Sequence, residues 1–204
     1  MEKVVNVSKN ELQEIKAIIG EAFITNELFH EFGNIESRRD AVLTYMDAYV
    51  QYVYESGLLY RTEDKKGYIG LAFTGEERFF PKIKMLGKML TRISFGKLKR
   101  LLHYIRQVSN GNEWYQKQPH IDVLLVCVDR NYQGKGIARQ LVEYAKIMAR
   151  EEMVPLLFDT DMEDYAKMYQ YMSCTLYNTI TADNGVTRYN LVWEGKEDTY
   201  FDVL

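Results

Sequence analysis

The chain has 204 residues, 47% of them hydrophobic and 27% charged, with a formal net charge of −3. That is enough apolar material for one sizeable core and too much for a disordered chain. No apolar run approaches the ~20 residues of a membrane span, the start of the chain lacks the apolar run of a leader, and two cysteines make no disulfide framework. The expectation is one cytoplasmic domain over residues 1–204, with no membrane partner.

Residues 4–7 alternate weakly and read as a first strand. Ser8 then offers an N-cap, with Glu11 at the capping-box position. Leu12, Ile15, Ile18, Ile19, Ala22 and Phe23 form the apolar stripe of a first helix. A second helix opens at residues 34–37, carries Ala41, Val42, Tyr45, Met46, Tyr49, Val50 and Val53, and ends near Gly57. Residues 58–61 and 68–74 read as two strands of a hairpin, joined by a polar run that closes on Gly67. Residues 76–110 then return to helical spacing, with a break near residues 94–96.

This helical stretch is the basic part of the chain. Residues 76–112 hold nine Lys and Arg against Glu76 and Glu77, so the rest of the chain carries a balance of −10. The run reads first as a solvated helix face. Its amphipathic pattern also suits a membrane surface, and its charge suits nucleic acid. Apolar residues on both sides favour packing against the body, so neither partner is expected.

Beyond Pro119 the pattern sharpens. A strand starts near His120, and Val123 to Val128 is a run of six apolar residues, as in a strand covered on both faces. Polar turn material follows at residues 129–134. A helix then carries Leu141, Tyr144, Ala145, Met148 and Ala149 on one face. A strand feeding a helix through glycines makes an anion site, because the first-turn N–H groups are unpaired and the helix dipole favours negative charge. The turn is not a P-loop, since Ile137 follows Gly136, and not a dinucleotide fingerprint, since Arg139 stands where a third glycine belongs. Residues 156–158 read as a short strand. Asp159, Thr160 and Asp161 offer a cap for a helix carrying Tyr165, Met168, Tyr169 and Met172, and residues 175–180 and 186–193 read as a hairpin turned at Asp183-Asn-Gly185.

The segment Gln133-Gly-Lys-Gly-Ile-Ala138, behind an apolar strand that ends in Val128-Asp129, resembles the Gln/Arg-x-x-Gly-x-Gly/Ala pyrophosphate loop of the GNAT N-acetyltransferases. With residues 76–112 set aside as a helical insertion, the element order is also that of this family. The resemblance implies an α/β (α+β) GNAT acyl-CoA N-acyltransferase fold, with a mixed, mostly antiparallel central sheet flanked by helices. It implies acetyl-CoA as co-substrate and transfer of acetyl to a primary amine, on a small molecule or a peptide, by direct attack in a ternary complex. Carried over residue by residue, Gln133, Gly134, Lys135, Gly136, Ile137, Ala138 and Arg139 cradle phosphates, and the backbone of Val126, Cys127 and Val128 meets the pantetheine arm. Tyr169, in Met168-Tyr-Gln-Tyr-Met-Ser-Cys174, falls on the family tyrosine that protonates the leaving thiolate.

Ser173 and Cys174 replace the usual Gly-Phe of that motif, and Met162 stands where many members have an asparagine. These departures keep a second reading open, a non-catalytic module that binds acyl-CoA. Asp122 and His120 are the candidate bases, and many family members have no dedicated base. Alternation puts both on one face of the strand with Leu124 and Val126. The loop between the first two helices borders the acceptor in this reading, with Phe29, His30 and Glu31 as candidate contacts. Cys127, mid-strand with no cationic neighbour in sequence, reads as packing. Three scattered histidines and two distant cysteines give no metal-ligand spacing. The C-terminal hairpin is a candidate edge for a homodimer.

Overall fold

The computed structural model describes residues 1–75 and 79–195; Glu76, Glu77 and Arg78, with which the insertion opens, lie outside the described residues. In chain order the elements are β1 (Glu2–Lys3), α1 (Lys9–Phe23), a 3-10 turn (Glu27–Phe32), α2 (Ile35–Glu55), β2 (Leu59–Arg61), β3 (Gly67–Phe73), α3 (Phe79–Arg92), α4 (Phe95–Val108), α5 (Glu113–Gln116), β4 (Ile121–Val128), α6 (Ile137–Glu151), β5 (Leu156–Thr160), α7 (Glu163–Tyr171), β6 (Thr175–Thr181) and β7 (Thr187–Trp193).

Local chemistry sets most of these boundaries. Ser8 caps α1 by accepting from Glu11 N–H at 3.1 Å, and Asn34 caps α2 by accepting from Ser37 N–H at 2.9 Å. Gly57, at φ +71°, ends α2 in a conformation that suits glycine. The first strand forms at Glu2–Lys3 rather than at residues 4–7. Val4 still donates to the Leu59 carbonyl at 2.8 Å, but the chain then turns at Asn6, whose φ is +53°. The insertion breaks at Ile93 and Ser94, where a buried Ile93 anchors the corner, and α5 adds a short helix ahead of Pro119.

The seven strands form one sheet in the order β1-β2-β3-β4-β5-β7-β6, antiparallel except between β4 and β5. That parallel ladder is only two pairs long, Ile121 with Leu156 and Asp122 with Leu157. From Val123 onward the strands separate, and the edge of β4 that faced β5 opens into a cleft. One core layer packs α1, α2 and the inner sides of α3 and α4 on one sheet face. A second layer packs α6 and α7 on the other face.

A β-bulge interrupts β4 just where it parts from β5. Gly70 pairs with Leu125 and Leu71 with Val123, so Leu124 is the extra residue. The bulge resets the alternation along the strand. Ile121, Val123, Val126 and Val128 pack with the α6 layer, whereas Leu124, Leu125 and Cys127 pack with the α1–α2 layer. Val126 therefore faces away from Leu124, contrary to the strict alternation read from sequence.

Candidate active site

The opening between β4 and β5 leads into a cavity of about 620 Å³. Its walls are Val126 and Val128 of β4, the turn residues Tyr132, Gln133, Gly134 and Gly136, the first turn of α6, and one side of α7. Gly136 is the N-cap of α6 at φ +78°, and no side chain caps that end. The first-turn amides of Ile137, Ala138 and Arg139 thus lack a side-chain acceptor, at the positive end of a 15-residue helix. Gly134 also has positive φ, at +75°. A Cβ at Gly134 or Gly136 would meet nothing within 4 Å, so space for an anion lies directly over the backbone. Gln133 folds back, and its Nε2 donates to the Val128 carbonyl at 3.3 Å, which holds the turn against the strand end.

Of the residues picked out in the sequence, Val126, Val128, Gln133, Gly134, Gly136, Ile137, Ala138, Arg139 and Tyr169 line this one cavity. Lys135 does not; its Nζ sits 4.7 Å from the Tyr132 ring centre, with Lys66 on the same ring at 4.4 Å. The side chain of Cys127 turns to the opposite sheet face, where its Sγ lies 4.0 Å from the Ile18 carbonyl. Burial pushes that thiol up to about 12, as expected for packing rather than chemistry.

His120 and Asp122 lie at the start of β4 and face each other, Nε2 to Oδ2 at 3.2 Å. The other ring nitrogen, Nδ1, donates to the Gln118 carbonyl at 2.6 Å, and Thr74 Oγ1 is 3.1 Å away. Neither residue lines the cavity. Asp122 lies on the α1–α2 side, where it and Asp159 act electrostatically on Tyr49, whose phenol is pushed well up, first by burial. Phe29 is core: it is fully buried and meets Tyr45 edge-on at 5.1 Å, so it is no acceptor contact. His30 pairs with Glu27 at 3.0 Å, and Glu31 accepts from Asn184 at 2.7 Å.

Tyr169 is buried beneath the cavity with its ring 4.6 Å from Phe158, and burial raises its phenol above the ordinary tyrosine range. The turn after it takes a left-handed conformation that glycine favours. Ser173 stands at φ +61°, and Cys174 N–H donates to the Tyr169 carbonyl at 3.0 Å. The helix cap, however, is not made by Asp159–Asp161 as the sequence suggested. Met162 occupies the N-cap without a side-chain bond. Asp161 is instead buried between Arg188, with Nε–Oδ1 at 2.5 Å and Nη2–Oδ2 at 2.9 Å, and the Tyr104 hydroxyl at 2.5 Å.

The cavity has further walls that motif reading passed over: Tyr132, Asp164, Tyr165, Lys167, Met168, Tyr171 and Met172. A signal for three of these was present, since Tyr165, Met168 and Met172 share with Tyr169 the helical stripe noted above. Lys167 and Tyr132 carried none.

Residues 101–171 match the acetyltransferase (GNAT) family. That stretch is similar to the GNAT family, and the fold of the whole chain is that of GNAT acetyltransferase structures. Its fold is similar to agmatine N-acetyltransferase, solved as an apo mutant, with TM-score 0.58 at 12% identity over 92% of this chain and 96% of that one. It is similar too to a Corynebacterium glutamicum protein described as histone acetyltransferase HPA2 and related acetyltransferase, with TM-score 0.57 at 14% identity over 98% and 99%. A mosquito arylalkylamine N-acetyltransferase like 5b gives TM-score 0.55 at 12% identity over 94% and 99%. No curated protein matches by sequence. Against the GNAT order of elements, α3 and α4 are the addition, lying between β3 and β4.

Proposed function

We propose that this protein transfers an acetyl group from acetyl-CoA to a primary amine by direct attack. The observation that carries the reading is the uncapped start of α6, with Gly134 and Gly136 at positive φ, sharing one cavity with Tyr169. The diphosphate lies over the Gly134–Gly136 turn and the first amides of α6, with Arg139 and Lys167 at the rim. The pantetheine arm runs beside β4, meeting the backbone of Val126, Cys127 and Val128 along the edge that β5 no longer pairs, their other edge being held by β3. The amine approaches from the other side of the opening, where Asp122 favours a cation. Its nitrogen attacks the thioester carbon, the C–S bond breaks, and the Tyr169 hydroxyl gives its proton to the departing sulfur. Asp122, paired with His120, takes the surplus proton of the amine, directly or through water.

Two measurements test this. Thermal unfolding with acetyl-CoA, CoA and ATP, on wild type and Gly136→Trp, reads the cradle. A ligand at about 100 times its Kd adds about 2.7 kcal/mol, so acetyl-CoA and CoA should raise the unfolding temperature of wild type only, and ATP neither. CoA-thiol release with agmatine, an arylalkylamine and a lysine peptide reads turnover. Tyr169→Phe should lower kcat by roughly 10²-fold, the scale of a lost proton donor. The Ser173-Cys174 and Met162 positions favour the second reading, a module that binds acyl-CoA without turnover. Ligand-induced stabilisation with no thiol release from any amine would establish that reading instead.

A further inference from the structure

Helix α3 shows its more apolar side to solvent. It packs on α2 through Met85 and Met89, with Lys84 on Glu55 at 2.5 Å and Lys88 on Asp47 as flanking ion pairs. The opposite side carries Phe79, Ile83, Leu86 and Leu90. Spacings of four, three and four put these side chains in one stripe about 60° wide. Phe79 is 69% exposed, Leu90 63%, and Phe80 beside them 82%. Phe95, which opens α4 three residues after α3 ends, is 74% exposed. The insertion was expected to bury apolar residues on both sides; it buries one side and leaves the other uncovered.

The charge around this stripe has one sign. Residues 79–110 contain eight Lys and Arg and no Asp or Glu. Lys82 flanks the α3 stripe. On α4 the outward row is Phe95, Lys99, Leu102 and Arg106, apolar and cationic in turn, and all four are exposed.

We propose that the outer face of α3, continued by Phe95 on α4, docks this protein on an anionic lipid surface. Apolar side chains at the centre with cations on the flanks suit a headgroup layer over acyl chains. Two copies meeting face to face would oppose cation to cation. A nucleic acid would be met by cations and stacking rings at the centre of the patch, where Ile83, Leu86 and Leu90 stand. At about 1.5 Å per residue α3 is ~21 Å long and lies along the surface; among the described residues no helix is long and apolar enough to cross a bilayer.

The test is co-sedimentation of the full chain with vesicles of phosphatidylcholine alone and of phosphatidylcholine with phosphatidylserine. Binding should be at least tenfold stronger on the anionic vesicles at about 0.1 M salt and should fall at about 0.5 M. The double variant Ile83→Glu/Leu86→Glu should lose that binding with an unchanged unfolding temperature, because both side chains are exposed. Lack of sedimentation with either vesicle overturns the proposal, as does binding that the variant retains. A concentration-dependent dimer of wild type that the variant disperses, seen by sedimentation velocity, assigns the face to a second copy. Binding of a short RNA without binding to vesicles assigns it to nucleic acid. Both of these outcomes also overturn the lipid assignment.

Discussion

Tyr169 is held by its ring on Phe158 and by its carbonyl, which accepts from Cys174. Burial keeps its phenol protonated well past the ordinary tyrosine value of about 10, so it stays a donor throughout the working range. The kcat profile should therefore show no falling limb near pH ~9 that Tyr169→Phe removes; such a limb would assign the proton donor elsewhere. Ser173 supplies a second residue-scale prediction. It holds a left-handed conformation that costs a non-glycine residue roughly 1 kcal/mol. Ser173→Gly should raise urea-unfolding stability by up to that amount, less the extra chain entropy of glycine. An unchanged or lowered stability would mean that the serine side chain repays its strain. The exchange of Gly-Phe for Ser-Cys was plain in the sequence. That Ser173 adopts the left-handed conformation was not, because a backbone angle is set by the surrounding bonds to Tyr169 and Gln170, and the residue type only makes it cheaper or dearer.

At the scale of elements, the strand–turn–helix unit from Ile121 to Glu151 was legible because every signal in it is local: a β-branched run, two glycines, then a 3.6-residue apolar period. The bulge at Leu124 was not legible, since the register of β4 depends on Gly70 and Leu71 of a distant strand. Nor was the role of Asp161. Its position suggested a helix cap, and long-range partners claim it instead: Tyr104 from α4 and Arg188 from β7. This buried cluster ties the insertion to the sheet beside the cleft. Asp161→Asn should destabilise the protein by roughly 3 kcal/mol, as when one partner of a buried ion pair is removed. Tyr104→Phe should cost roughly 1.5–3 kcal/mol, the range for a hydrogen bond to a charged group. Urea unfolding of both variants and of the double variant measures these costs. The two should be non-additive, since they share one carboxylate; simple additivity would show that the bonds act independently.

For the whole molecule, acid is the informative stress. Burial pushes the carboxyl of Asp47 up, but Lys88 and Lys16 more than reverse this, so it sits below the usual carboxylate value. A depressed carboxyl stabilises the fold above its unfolded value of about 3.9, and that share is lost as pH falls through the folded value. Glu55, paired with Lys84, shifts the same way. Asp47→Asn should cost roughly 1–3 kcal/mol at neutral pH by leaving the buried Lys16 without its carboxylate. The gap from wild type should close below about pH 4. A gap that persists in urea unfolding at low pH would mean that the side chain acts by packing alone. Because these pairs fasten α3 to α2, the same acid range loosens the insertion first. The two-pair ladder between β4 and β5 sets how the molecule breathes. The strands β1–β4 and β5–β6–β7 are two plates joined by a short seam, and little sheet bonding couples their openings. In the empty protein, amide hydrogens of the two plates should exchange as separate cooperative units. A bound acyl carrier filling the gap would act as a keystone and make them exchange as one.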